Sequence, residues 1–131
     1  MDGAQSRHAK LAISARQSTL RLSAIRRYWG HGSLIGAISA GNHVMVRPSE
    51  LAPLTAELMR KIIADCFPEE YVTVITGGLE VSQAFSTLPF DHLIFTGSTN
   101  VGKIVMRNAA EHLTPVTLEL GGKSPALIGE N

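Results

Sequence analysis

HLIFTGSTNVGKIVMRNAAEHLTPVTLEL, residues 92–120, holds two strand signals on either side of one helix signal. His92 to Phe95 reads as a short buried strand that runs into a glycine turn, Thr96-Gly97-Ser98-Thr99. From about Asn100 to His112 the apolar residues Val101, Ile104, Val105 and Ala109 recur at helical spacing, so the segment is an amphipathic helix with those four side chains turned inward. Val116 to Leu120 is a second strand, ended by Gly121-Gly122. Two neighbouring strands joined through a helix run parallel, because the helix carries the chain back to its starting edge.

The same alternation extends upstream. Leu34, Ile35, Ala37 and Ile38 form an apolar helical stretch that Gly41 and Asn42 can end, since both tolerate a left-handed backbone. His43 to Arg47 (HVMVR) is a buried strand stopped by Pro48. Pro53 opens a helix on which Leu54, Leu58, Ile62 and Cys66 share one face, expected to be the core face, and Pro68 closes it. Tyr71 to Ile75 is a β-branched strand broken by Gly77-Gly78, and Val81, Ala84, Phe85 and Leu88 mark another short helix. The β-α-β-α-β-α-β order predicts an α/β fold, a parallel sheet with helices on both faces. Ligands of such sheets bind beyond the carboxyl ends of the strands.

Composition narrows the function classes. The 131 residues are 44% hydrophobic and 18% charged, which suits one globular domain and argues against disorder. No apolar run approaches the roughly 20 residues that cross a bilayer, and no secretory pattern opens the chain, so a cytoplasmic protein without membrane contact is expected. Cys66 is the single cysteine, which excludes an internal disulfide; on an expected core helix face it reads as a small apolar residue. His8, His31, His43, His92 and His112 are too scattered to form a metal site. Net charge is +1, but unevenly placed: Arg7, Lys10, Arg16, Arg21, Arg26 and Arg27 face Asp2 alone in residues 1–30. The chain therefore divides into a basic leader, 1–30, and an α/β domain, 31–131. Within the leader Leu11, Ala15, Ser18, Leu22, Ile25 and Trp29 recur at helical spacing, so it reads as an amphipathic basic helix or as disordered. A transit peptide and a nucleic-acid arm are weaker readings; there is little aromatic interleaving and no recognised nucleic-acid fold.

The chemistry-bearing residues sit at the strand ends. In FTGSTNVG (95–102) a strand passes through a glycine turn into a helix, which points backbone N–H groups and the positive end of a helix dipole at whatever docks there. Gly97 lets the backbone approach a phosphate, Ser98 offers a hydroxyl and Gly102 permits close helix–strand packing. Replacing Gly97 by valine is expected to remove nucleotide binding while leaving the fold. The spacing is not G-x-G-x-x-G, and a tight strand–helix turn accounts for these residues equally well. In VRPSE (46–50) Arg47 supplies a cation and Glu50 an acceptor for ribose hydroxyls; taken alone, a solvated pair around a proline turn is the simpler reading. Glu119 lies in an apolar strand between Leu118 and Leu120, where burial would raise its pKa. Either it has a structural partner or it lies in a cleft as a tuned base.

AGNHVMVRPSE (40–50), VITGG (74–78), FTGSTNVG (95–102) and TLELGGKSP (117–125) resemble, in order and spacing, the cofactor domain of the aldehyde dehydrogenase superfamily. LPFDHLIFTGST (88–99) with Val105-Met106-Arg107 is most similar to its coniferyl aldehyde dehydrogenase branch. The resemblance covers about Gly32 to Asn131 and implies a Rossmann-like sheet, a truncated piece of that domain. It implies NAD or NADP as cofactor, an aldehyde as substrate, and homo-oligomers among full-length members. It also implies Glu119 as the base that activates hydrolytic water, with Arg47, Ser49, Glu50, Gly97, Ser98, Gly102, Leu120 and Gly121 around the cofactor. Arg47 stands where the family usually has lysine, which leaves NAD versus NADP open.

Two family features are unmatched. The nucleophilic cysteine lies beyond the glutamate motif, and the Pro-Trp-Asn segment that binds the oxyanion has no counterpart, since Gly30 follows Trp29. Three readings follow: a fragment of an aldehyde-oxidising enzyme, inactive alone; a catalytically dead nucleotide-binding module; and an interaction module that uses the basic arm.

Overall fold

The computed structural model describes residues 10–15, 24–122 and 125. Along the chain come β1 (Lys10–Ala15), α1 (Ala24–Ser39), β2 (His43–Arg47), α2 (Pro53–Cys66) and β3 (Val72–Val74). They are followed by α3 (Leu79–Ser86), β4 (His92–Gly97), α4 (Thr99–Ala110) and β5 (Val116–Leu120). The five strands form one parallel sheet in the order β3-β2-β1-β4-β5. The chain builds outward from β1 to one side and then crosses to the other, so the order reverses between β1 and β4.

Alternation along the strands separates two cores. On one face Ile13, Val44, Val46, Val72 and Val74 pack with Leu34 and Ala37 of α1 and Ile63 of α2. On the other, Ala12, Leu93 and Phe95 pack with Phe85 of α3, Phe90 and Val105 of α4. The helices therefore cover both faces, as the α/β reading expects. Five-residue β2 and β5 match the sequence boundaries, and Gly41 takes the left-handed conformation after α1.

Four expectations change. Residues 10–15 are not part of a basic helix: they form β1, the central strand, with Ala12 and Ile13 fully or nearly buried on opposite faces. Ser18 and Leu22 of that helical reading, and Lys123-Ser124 of the last motif, lie outside the described residues. On α2 the predicted core face is the outer one. Leu54, Leu58, Ile62 and Cys66 are exposed, and Ala56 and Ile63, with Met59 beside them, face the sheet. On α4, Val105 and Ala109 are buried but Ile104 is exposed. Elsewhere, Ile35 of α1 and Leu88 after α3 are likewise exposed.

Helix α4 ends in a Schellman arrangement. Leu113 N–H donates to Ala110 O at 3.1 Å and Thr114 N–H to Ala109 O at 3.0 Å, which requires Leu113 itself to take φ 54°. Thr114 then anchors the return to β5 by donating from its hydroxyl to Phe90 O at 2.8 Å.

Candidate functional site

Parallel pairing puts the ends of all five strands on one edge, and the strand-end residues singled out in the sequence gather there in two groups. The first joins the turns after β2 and β3. Pro48, Ser49, Glu50, Pro53, Ala56, Glu57, Thr76, Gly77 and Gly78 line a cavity of about 380 Å³, within the size range of small-molecule sites. Arg47 is not in that lining. Its side chain is 1% exposed, which overturns the reading of a solvated cation. From Arg47, Nη1 donates to Glu50 Oε2 at 2.7 Å, and Nη2 faces Gly77 O at 3.4 Å and Gly78 O at 3.3 Å. Gly77 has little alternative at its position: φ is +155°, and an added Cβ would lie 2.5 Å from Val81 Cγ2. Ser49 is buried, and its Oγ accepts from Leu51 N–H at 3.3 Å, which shapes the turn into α2.

Thr76, Gly77 and Gly78 belong to the VITGG stretch (74–78) of the sequence reading but were not named there as site residues, and Glu57 was not singled out at all. Gly77-Gly78 was recognisable, because it directly follows a strand at the carboxyl edge where such folds bind ligands. Glu57 was not, since its place depends on how α2 sits over the sheet. The Arg60 guanidinium, in a two-bond contact with Glu57 at 2.9 and 2.7 Å, holds that carboxyl below its ordinary range.

The second group lies beyond β4 and β5. Ser98 is the N-cap of α4, its Oγ accepting from Val101 N–H at 3.4 Å, with Gly102 N–H donating to Ser98 O at 2.9 Å. The first turn of α4 thus opens onto the carboxyl edge with its N–H groups, the geometry that favours an anion. Gly97 and Gly102 are both buried, and Gly102 packs against β5: an added Cβ would stand 2.8 Å from Leu120 Cδ2. Close helix–strand packing at Gly102 is therefore as the sequence suggested. At Gly97 the constraint is internal. A Cβ there would lie 2.5 Å from Cζ of the buried Phe95, so Gly97→Val disturbs the core and cannot leave the fold untouched.

Register brings Glu119 beside this turn, pairing Thr96 with Glu119 and Gly97 with Leu120; Gly121 follows directly. Glu119 is exposed, not buried, because β5 is the edge strand and nothing described lies beyond it. The cavity and the α4 turn are separated by β1, so that β2 and β4 stand two strand spacings, about 10 Å, apart. A ligand that reaches both must be elongated, with an anionic part toward α4. No cluster of metal-ligating residues and no helix long and apolar enough to cross a membrane occur among the described residues.

Comparison with known proteins bears on the family and the fold. Residues 30–131 match the aldehyde dehydrogenase family. Over 100 residues the chain is 58% identical to a Pseudomonas aeruginosa protein described as "Probable coniferyl aldehyde dehydrogenase", covering 76% of this chain and 21% of that one. The substrate-bound structure of Staphylococcus aureus AldH superposes with a TM-score of 0.76 at 42% identity, over 90% of this chain and 25% of that chain. A Mycobacterium tuberculosis aldehyde dehydrogenase complexed with NAD+ gives 0.69 at 35%, over 88% of this chain and 23% of that chain. The present chain thus spans about a fifth of the length of the curated relative.

Proposed function

Because the chain belongs to the aldehyde dehydrogenase family, we propose that it supplies the NAD(P)-binding part of an enzyme that oxidises aldehydes to carboxylic acids. The observation that carries this is the shared carboxyl edge: a cavity with the Glu50 carboxylate in its wall on one side of β1, and the open first turn of α4 on the other. The residues present suit a dinucleotide. On this reading Glu50 accepts from the adenosine ribose, the Gly97-Ser98 turn and α4 receive the pyrophosphate, and Leu120-Gly121 border the next part of the molecule. The bound cofactor supplies a hydride acceptor.

On the same reading Glu119, one strand over from the α4 turn, takes a proton from the water that releases the acid. That step needs an acyl group on a nucleophile, and this chain's only cysteine cannot provide it. Helix α2 leaves the carboxyl edge at Pro53 and delivers Cys66 to the opposite edge, just before β3, about 20 Å away along its axis. On the enzyme reading the nucleophile is not one that residues 1–131 supply. The substrate is an aromatic, coniferyl-type aldehyde on this reading, in line with the relative from Pseudomonas aeruginosa. Calorimetry of the chain with NAD and NADP tests the cofactor site. Binding that Glu50→Gln weakens supports it; absence of binding of either dinucleotide by the folded chain refutes it. In a longer protein that supplies the thiol, Glu119→Gln should stall at the acyl-enzyme; unimpaired turnover removes Glu119 from the role of base.

A catalytically dead nucleotide-binding module is the second reading, favoured by the position of Cys66. A longer open reading frame carrying the thiol, active on aldehydes, decides against it.

A further inference from the structure

We infer that Arg47 is a positioning residue: its buried guanidinium fastens the Ser49-Glu50 wall of the cavity to the Gly77-Gly78 wall and thereby aims the Glu50 carboxylate. The inference rests on the cofactor reading above and departs from a direct contact between Arg47 and the ligand. Three observations support it. Arg47 is 1% exposed and absent from the cavity lining, so its charge is spent inside the protein. Its two terminal nitrogens point to different walls, Nη1 to Glu50 at 2.7 Å and Nη2 to two carbonyls thirty and thirty-one residues away in sequence. Its Nε is buried without a partner among the described residues, so the side chain accepts an unsatisfied donor to hold this fork.

The chemistry explains why a fork is needed. Glu50 is only 14% exposed and sits one residue past a buried serine turn, and a partly buried carboxylate without a cation would turn out toward water. A planar guanidinium can meet a carboxylate and carbonyls at once, whereas a lysine ammonium is a single point. With Arg47 in place, one oxygen of Glu50 is held and the carboxylate is fixed at the cavity, where ribose hydroxyls can donate to it.

The test compares AMP with 2′,3′-dideoxy-AMP, which lacks the hydroxyls that Glu50 would receive. The wild-type chain should bind AMP about tenfold or more tightly than the dideoxy nucleotide, the usual worth of hydrogen bonds to a charged group. Arg47→Met should lower AMP affinity to the dideoxy level and leave dideoxy-AMP within about twofold. Arg47→Lys, which keeps the charge, should recover only part of the loss. Unchanged AMP affinity in Arg47→Met, equal losses for both nucleotides, or full recovery in Arg47→Lys overturns the inference. Thermal unfolding of Arg47→Met, Glu50→Gln and the double variant reads the strut without any nucleotide. Additive effects in that cycle overturn the strut itself; coupling combined with a wild-type chain that binds neither nucleotide overturns the cofactor reading on which it rests.

Discussion

Adding a single methyl at Gly97 should destabilise this fold without touching any ligand. The added Cβ would lie 2.5 Å from Phe95 Cζ and 3.0 Å from Cε1, where carbon atoms prefer about 3.5–4.0 Å. Phe95 must therefore retreat by about 1 Å, yet it is 1% exposed and packed in the core that holds Ala12, Phe85, Leu93 and Val105. Overpacking of this kind costs about 1–3 kcal/mol. For a chain of 131 residues each kcal/mol moves the midpoint by roughly 4 °C, so Gly97→Ala should lower Tm by about 4–12 °C, read by circular dichroism on heating. A background of Phe95→Leu, which shortens the obstructing ring, should shrink the added penalty well below that of the single change. The reasoning fails if Gly97→Ala melts with the wild type, or if the penalty is the same in both backgrounds. It also means that weakened nucleotide binding in a Gly97 variant counts against the site only after its stability has been measured.

Three further outcomes follow from the geometry. Cys66 should react with an aromatic disulfide reagent in the folded chain nearly as fast as in urea, and Cys66→Ser should change stability by less than about 0.5 kcal/mol; slow reaction would restore the buried reading. Leu113→Gly should raise stability by about 0.5–1 kcal/mol in denaturant titration, because Leu113 is 89% exposed and pays for φ 54° without packing in return; a loss would mean its side chain is needed. Ile13→Ala should cost about 2–5 kcal/mol by the same titration, and a neutral result would remove β1 from the centre of the sheet.

The alternation of strand and helix from His43 to Leu120 was determined by local sequence alone, since β-branched runs, glycine turns and Pro53 each carry a physical preference that survives without neighbours. The identity of the strand-end motifs was equally local, and so was the parallel topology they imply. Tertiary structure decided which apolar face of α2 is buried. Leu54, Leu58 and Ile62 form as regular a stripe as Ala56, Met59 and Ile63, and only the position of the sheet chooses between them. It also decided the burial of Arg47 and the exposure of Glu119. Arg47 is hidden because Glu50 and the distant carbonyls of Gly77 and Gly78 converge on it, and Glu119 is exposed on the edge strand β5, where Val116 and Leu118 take the side packed against α4. The central position of β1 was beyond local reading for the same reason: Lys10–Ala15 is too short to separate a period of two from one of 3.6, and its strand state comes from the ladders of β2 and β4 on either side.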